Sequence, residues 1–543
     1  METKYVIALD IGTSTIICHV YNARAEAVGK ATGTVKLHFP ETGYVEIVPD
    51  ELWITILEVL RNAIKDAKIS ASQVSSLGLS TQRGTFVTWD RRSGEYFHNF
   101  ITWRDMRADS IVQKWNRSVL NRTISAAAYV LYTFSRSKRF LAASVIKFSN
   151  NQITPRLAWA IKNIPKLKSA ISNGTAVFGT IDTWLLHKLT GGQLYVTDFS
   201  NASATGMFDP FTQKWSAFGL RFIGLPIDIL PMVVDSAGDF THVEESLLGA
   251  KIPITCCMAD QSASMFGACC FNPGDVKLTM GTGSFININT GPKPHASVLG
   301  LYPLVAWKYG GETVFMVEGN NNDTGTLILW ALSAGLCSLY EETSDMANSV
   351  EDTDGVFFIP AFTGLGPPIN DQTAAAGFIG MKMTSTREHL VRSILEAISF
   401  GAVQLYKCTT IETSYKLHTI RLDGGVAQNN FISQLISDMT GLRLERPTSS
   451  EISVLGCAFL SGLAAGVWRS KEEIGALYKV DQVFLPREGV GASYEGVMNR
   501  WEDAVKRFTG WYAVGKKKTN IAIKLSNKIF KGTEFKKNFL YGL

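Results

Sequence analysis

Two short stretches half a chain apart set glycine and hydroxyl side chains directly after β-branched runs: Asp10-Ile11-Gly12-Thr13-Ser14-Thr15 and Gly281-Thr282-Gly283-Ser284. Glycine lets backbone approach a phosphate closely, and successive amide N–H groups with nearby hydroxyls cradle its oxygens. Asp10, at the end of its run, is placed to hold Mg2+ directly or through water, since hard cations prefer oxygen. Either loop alone reads as an ordinary hairpin turn. The two together can clamp a polyphosphate from opposite sides. A third stretch, Leu422-Asp423-Gly424-Gly425-Val426 with Asn429 and Asn430 behind it, offers Gly-Gly after a strand, which suits backbone lying flat against a base or ribose.

A different chemistry is suggested by Met258-Ala259-Asp260-Gln261-Ser262. An aspartate that ends a β-run, beside an amide and small residues, suits a general base accepting an alcohol proton during phosphoryl transfer. The same position also fits the N-cap of a helix. Gln82-Arg83, Trp103-Arg104-Asp105 and Arg107 supply the bidentate donors and apolar wall that a polyol pocket needs. No GxGxxG follows the first strand and no GxxxxGK[ST] occurs, so neither the Rossmann nor the P-loop solution applies.

These residues need rigid elements behind them. YVIALDIGTSTIICHVYN and DVKLTMGTGSFININT each read as strand, tight loop, strand, while DELWITILEVLRNAIKDA and TREHLVRSILEAISFGAVQLY carry apolar residues at helical spacing. Strands alternating with helices predict an α/β protein of two related domains facing each other. At 543 residues, the chain exceeds what one core usually supports. The expected division is 1–270, with the polyol site and first phosphate loop, 271–485, with the nucleotide site, and a C-terminal extension over 486–543. Residues 120–150 lack a clean period and read as an insertion or long loop.

The formal charge of +5 is unevenly placed: residues 516–543 hold eight lysines against one acid, so the remainder is slightly acidic. That tail reads as an appended terminus, and because the body is not basic in net charge no nucleic-acid partner is expected. Eight cysteines, four of them in the adjacent pairs Cys256-Cys257 and Cys269-Cys270, fit buried, reduced small hydrophobes better than a disulfide framework or zinc site. Only five apolar residues lie between Lys4 and Asp10, too few for a signal peptide, and no apolar run is long enough to cross a bilayer. A cytoplasmic setting and a small-molecule partner follow as expectations; a homo-oligomer stays open.

In this order the three glycine loops resemble the phosphate and adenosine loops of the actin, hexokinase and Hsp70-type ATPases. From about Tyr5 to about Leu485 the chain resembles the FGGY carbohydrate kinases, and within them the glycerol kinases. The segments FGTIDTWLLHKLTGGQLYVTDFSNAS, GVFFIPAFTGLGPP, GFIGMKMTSTREHLVRSILEAISF and LDGGVAQNNFISQLISDMTGLRLERP carry the likeness. The resemblance implies two ribonuclease-H-like domains around a central cleft, using ATP and Mg2+. By position it implies Asp260 as catalytic base, with Gln261 also touching the polyol, and Arg83, Trp103 and Phe285 lining its pocket. Asp10 would serve metal and γ-phosphate, Thr13, Ser14 and Thr282 would hold phosphates beside Gly12, and Gly325, Gly425 and Asn429 would approach the nucleotide.

The chain also departs from glycerol kinases. Gly84 stands where they have an acid, Ile17 replaces an arginine, Leu329 a glutamine, and a pocket tyrosine falls near Asn151. Arg156 stands for a lysine, Gly366-Pro367-Pro368-Ile369-Asn370 for GAPYW, and ESLLGAK lacks the arginine-ending loop that binds a sugar bisphosphate. Three readings therefore stand side by side: a glycerol kinase, a kinase for a ketose such as xylulose, ribulose or sedoheptulose favoured by extra room at Gly84, and a weakly active nucleotide-binding scaffold.

Overall fold

The computed structural model describes residues 4–145, 147–412 and 415–513; the lysine-rich stretch 516–543 lies outside them. Two sheets organise the chain. The first runs Ile254–Ala259, Val74–Thr81, Tyr5–Ile11, Thr15–Tyr21, Ala27–Thr34. Its last three strands form an antiparallel meander, and its first two join Tyr5–Ile11 in parallel. The second repeats that plan: Glu312–Asn321, Ser284–Gly291 and Val276–Met280 are antiparallel neighbours, followed by Thr419–Asp423 and Arg443–Pro447 in parallel. Tyr302–Tyr309 and Val480–Phe484 are added at its edges. The shared five-strand core is the ribonuclease-H-like arrangement, present twice.

The parallel strands read as unbroken apolar runs because both faces are covered. YVIALDI, for example, is buried from Val6 onward. Helix Pro49–Asp66 covers one face of the first sheet with Leu52, Ile56, Val59, Leu60 and Ala63, one helical stripe. The opposite face is covered by a helix from the far end of the chain. Ile452–Ala464 packs on Tyr5–Ile11, Val74–Thr81 and Ile254–Ala259, and crosses Asp260–Gly267. That crossing requires glycine on both sides. A Cβ on Gly456 would sit 1.8 Å from the Ala263 carbonyl oxygen, and one on Gly267 2.2 Å from that of Ile452. Any side chain there would drive the two helices, and the two domains they join, apart.

A smaller antiparallel sheet, Glu46–Ile47, Phe100–Ile101, Phe86–Asp90 and Ala176–Thr180, extends the first domain and carries Arg83 and Trp103 beside its strands. Residues 120–144, read as part of an insertion or long loop, are largely helical. They form helices Val119–Ser135 and Lys138–Ser144. An amphipathic period appears only where one face is buried, and the first helix buries little beyond Ala128. Helix Val490–Phe508, in the stretch set aside as an extension, buries Met498, Trp501, Ala504 and Val505 in the second core. The eight cysteines are buried free thiols, as their composition suggests. Among the described residues no helix is long and apolar enough to cross a membrane.

Candidate active site

The first loop closes because Gly12 N–H donates to the Thr15 carbonyl at 2.9 Å, bringing Ile17 directly opposite Asp10. Gln82 clamps this loop: its Nε2 donates to the Gly12 carbonyl at 2.8 Å and its backbone N–H to that of Ile11 at 2.7 Å. Gln82 is therefore a loop clamp, not a pocket donor. Trp103 Nε1 donates to Thr13 Oγ1 at 3.0 Å, tying the expected polyol wall to the expected phosphate loop, and Ser14 lies exposed at the loop tip.

Both oxygens of Asp10 accept hydroxyl hydrogen bonds, from Ser80 Oγ at 2.6 Å and Ser453 Oγ at 2.7 Å. Ser453 opens the helix Ile452–Ala464 and reaches the first loop only because the chain returns 443 residues later. Burial pushes the Asp10 carboxyl up to about 7; the two hydroxyls offset part of this, and the charges of Asp260 and Glu451 add to it. Such a carboxylate suits a divalent cation, which would relieve that desolvation. Among the described residues no cluster of three metal-ligating side chains stands here. The donor set fits Mg2+ held by one carboxylate with phosphate and water oxygens, rather than an all-protein cage.

Asp260 is the first residue of helix Asp260–Gly267, after strand Ile254–Ala259, and the N-cap is Ala259, so the capping role does not fall to it. Its Oδ1 accepts the Gln261 N–H at 2.7 Å and lies 3.2 Å from Arg83 Nε. No described residue bonds to its Oδ2. The side chain is 28% exposed, yet burial raises the carboxyl above its usual range while Arg83 opposes the rise. Arg83 Nη1 also pairs with Glu318 at 2.9 Å, and its guanidinium lies 5.8 Å from the Phe285 ring centroid.

Behind this pair lies a polar layer absent from the sequence-derived set. Lys277 is fully buried, and its Nζ donates to Gln261 Oε1 at 2.7 Å. Burial lowers its ammonium to about 8, with Asp423, Glu318 and Asp260 holding it up. Asp423 accepts from Ser264, from Thr279 at 3.2 Å and from the Gly424 N–H at 2.8 Å. The Gly-Gly loop is thereby tied to the helix that begins at Asp260. A lone lysine within the apolar run DVKLTM, and the glutamate in VFMVEGN, were the available signals.

On the second sheet the expected nucleotide residues share one edge. Gly325 N–H donates to the Gly281 carbonyl and Thr324 N–H to that of Thr282, each at 3.0 Å, so helix Gly325–Ser333 starts on the second phosphate loop. Gly424 presses on Met280, while Gly425 faces open space. Asn429 is drawn inward: its Oδ1 caps helix Asn430–Thr440 at Ile432 N–H, and its Nδ2 donates to Thr343. Its side chain shapes the loop. Leu329, on the exposed side of helix Gly325–Ser333, is 66% exposed.

Two further expectations change. Asp105 and Arg107 form a structural knot with Glu46, under Tyr44 and Trp159, and do not line the pocket. Gly84 does not open extra room: its φ is +75°, and a Cβ would lie 3.2 Å from both the Asn151 carbonyl oxygen and Trp103 Cβ. The buried Arg156 guanidinium holds this turn, donating to the carbonyls of Gly84, Asn151, Ile101 and Thr102. Gly84→Glu should therefore destabilise the fold by about 1–2 kcal/mol through the left-handed backbone alone. Thermal unfolding checks it; an unchanged Tm would show that the turn accommodates a side chain.

The two repeated cores, the two glycine loops and the cleft carboxylates define a carbohydrate-kinase architecture, and comparison with known proteins places it. Residues 5–267 match the N-terminal domain of the FGGY family of carbohydrate kinases and residues 276–465 its C-terminal domain. The chain belongs to this family. It is 49% identical to glycerol kinase 5 of Danio rerio over 94% of this chain and 97% of that protein, and 45% identical to glycerol kinase 5 of Homo sapiens over 94% and 96%. Glycerol kinase 2 of Thermotoga maritima is 35% identical over 94% and 99%. Among solved structures, Plasmodium falciparum glycerol kinase with ADP superposes with a TM-score of 0.83 at 28% identity, over 93% of this chain and 98% of that one.

Proposed function

We propose that this protein transfers the terminal phosphoryl group of ATP to a hydroxyl of glycerol, giving glycerol 3-phosphate and ADP. The observation that carries this reading is the placement of Asp260: a carboxylate raised by burial, one oxygen held by Arg83, the other without a partner among the described residues.

In this reading Arg83, with Phe285 beneath it and Trp103 nearby, orients the polyol so that one hydroxyl faces Asp260 Oδ2. As that oxygen bonds to the γ-phosphorus, its proton passes to Oδ2 and the bond to the β,γ-bridging oxygen breaks, with the electron pair leaving on ADP. The Gly12-Thr13-Ser14 and Gly281-Thr282-Gly283 loops present N–H and hydroxyl donors to the phosphates, Gly325 sits close against the second loop, and Gly425, facing open space, leaves room for the nucleoside. Mg2+, held at Asp10, would neutralise charge on the β- and γ-phosphate oxygens. ATP as donor and eight buried thiols fit a cytoplasmic setting.

The ketose reading rested on open volume beside Gly84, which the Asn151 carbonyl and Trp103 fill. No observation in the pocket favours the larger sugar. The direct test is ATP consumption with glycerol, dihydroxyacetone, xylulose, ribulose and sedoheptulose. Glycerol should give the highest kcat/KM. A ketose ahead of it would replace the proposal, and no turnover with any acceptor would leave a nucleotide-binding scaffold.

A further inference from the structure

Residues 110–181 contain eleven lysines and arginines and not one aspartate or glutamate, in a chain whose remaining residues are net acidic. Helices Val119–Ser135 and Lys138–Ser144 form a hairpin in the middle of this stretch, and pack on one another. Helix Val119–Ser135 is inverted relative to an ordinary surface helix. Its inner side carries Ala128, whereas Val119, Val130 and Phe134, which share one face at helical spacing, point to solvent. Phe134 is 86% exposed and Val119 78%. Soluble proteins rarely leave such a stripe uncovered unless something binds it.

Charge identifies the occupant. Arg122 and Lys138, on the two helices of the hairpin, and Lys147 just after them are exposed, and among the described residues no ion pair involves them; Arg139 of the same hairpin is paired, with Asp209. A second copy of the same face would bring like charges together around its apolar centre, at an electrostatic cost. A surface both apolar and negatively charged meets both requirements. We propose that this hairpin docks the protein on an anionic phospholipid bilayer, lying in the headgroup plane with Phe134, Val130 and Val119 inserted and the basic residues among the phosphates. At 17 residues, and with Arg122 in its first turns, the helix is too short and too charged to span the hydrocarbon.

The test is flotation of the full-length protein with phosphatidylcholine vesicles, with and without about 30% phosphatidylserine. The parent should float with the anionic vesicles only. Val130→Asp/Phe134→Asp and, separately, Arg122→Glu/Lys138→Glu should each lower the partition coefficient by about tenfold or more. Kinase activity without vesicles should be unchanged in both, which reports intact folding. The charge variant keeps the apolar stripe, so it stands if the first variant misfolds. Equal flotation of parent and variants would overturn the proposal by assigning any binding to other basic segments such as residues 516–543. A parent that ignores vesicles, but sediments as a dimer that Val130→Asp/Phe134→Asp dissociates, would overturn it in favour of self-association.

Discussion

Asp260→Asn should lower kcat by about 10²-fold or more, the usual reach of a positioned general base, and leave ATP binding nearly intact. Asparagine has the same shape but cannot take the hydroxyl proton. The surroundings isolate the effect: Arg83 keeps its pairing with Glu318 at 2.9 Å, and Gln261 stays anchored by Lys277 at 2.7 Å. Tm should therefore move by only a few degrees. The carboxyl also fixes a pH signature. Because burial raises it, and a base works only when deprotonated, kcat/KM should climb with pH along an acid limb above the ordinary aspartate range near 4. In the asparagine variant the Asp260 limb should vanish, leaving only the one set by Asp10, whose carboxyl burial pushes up to about 7. Parental turnover, with the limb intact, would remove Asp260 from the role of base.

Asp10→Ala should lower Mg2+-dependent turnover by about 10²-fold or more, because a lost preorganised charge at the transferring phosphoryl is not replaced by solvent. The midpoint of the Mg2+ titration should rise. Here a structural contribution has to be separated out: Ser80 and Ser453 both donate to this carboxylate, and Ser80 is fully buried. Alanine strands both hydroxyls, at about 1–3 kcal/mol each if no water replaces the acceptor. Asp10→Asn keeps a carbonyl oxygen for one of them and should recover most of the Tm but little of the turnover. Recovery of both would make Asp10 an acceptor for the two serines and nothing more. An unchanged Mg2+ midpoint would separate it from the metal.

The sequence by itself determined the local units. Two β-branched runs around a glycine–hydroxyl loop can form little except a strand–turn–strand, and this happens twice, at Asp10–Thr15 and Gly281–Ser284. The residues around Asp260 suggested a general base, and the family likeness implied the same role by position. Tertiary structure decided what those residues touch. Gln82, Asp105 and Arg107 look like pocket residues in a linear reading, yet Gln82 donates to a loop carbonyl, Arg107 donates to Glu46 and Asp105, and Asp105 accepts from Arg107 and the Val45 N–H. Glu318, Lys277 and Ser453 carry no motif, because their meaning comes from neighbours tens to hundreds of residues away. Gly84 was read as empty space, but space at a glycine is set by what folds over it, here Asn151 and Trp103. The hairpin at 119–144 hid for the complementary reason. Periodicity reports a helix through the face it buries against its own protein, and this helix keeps its apolar face outward.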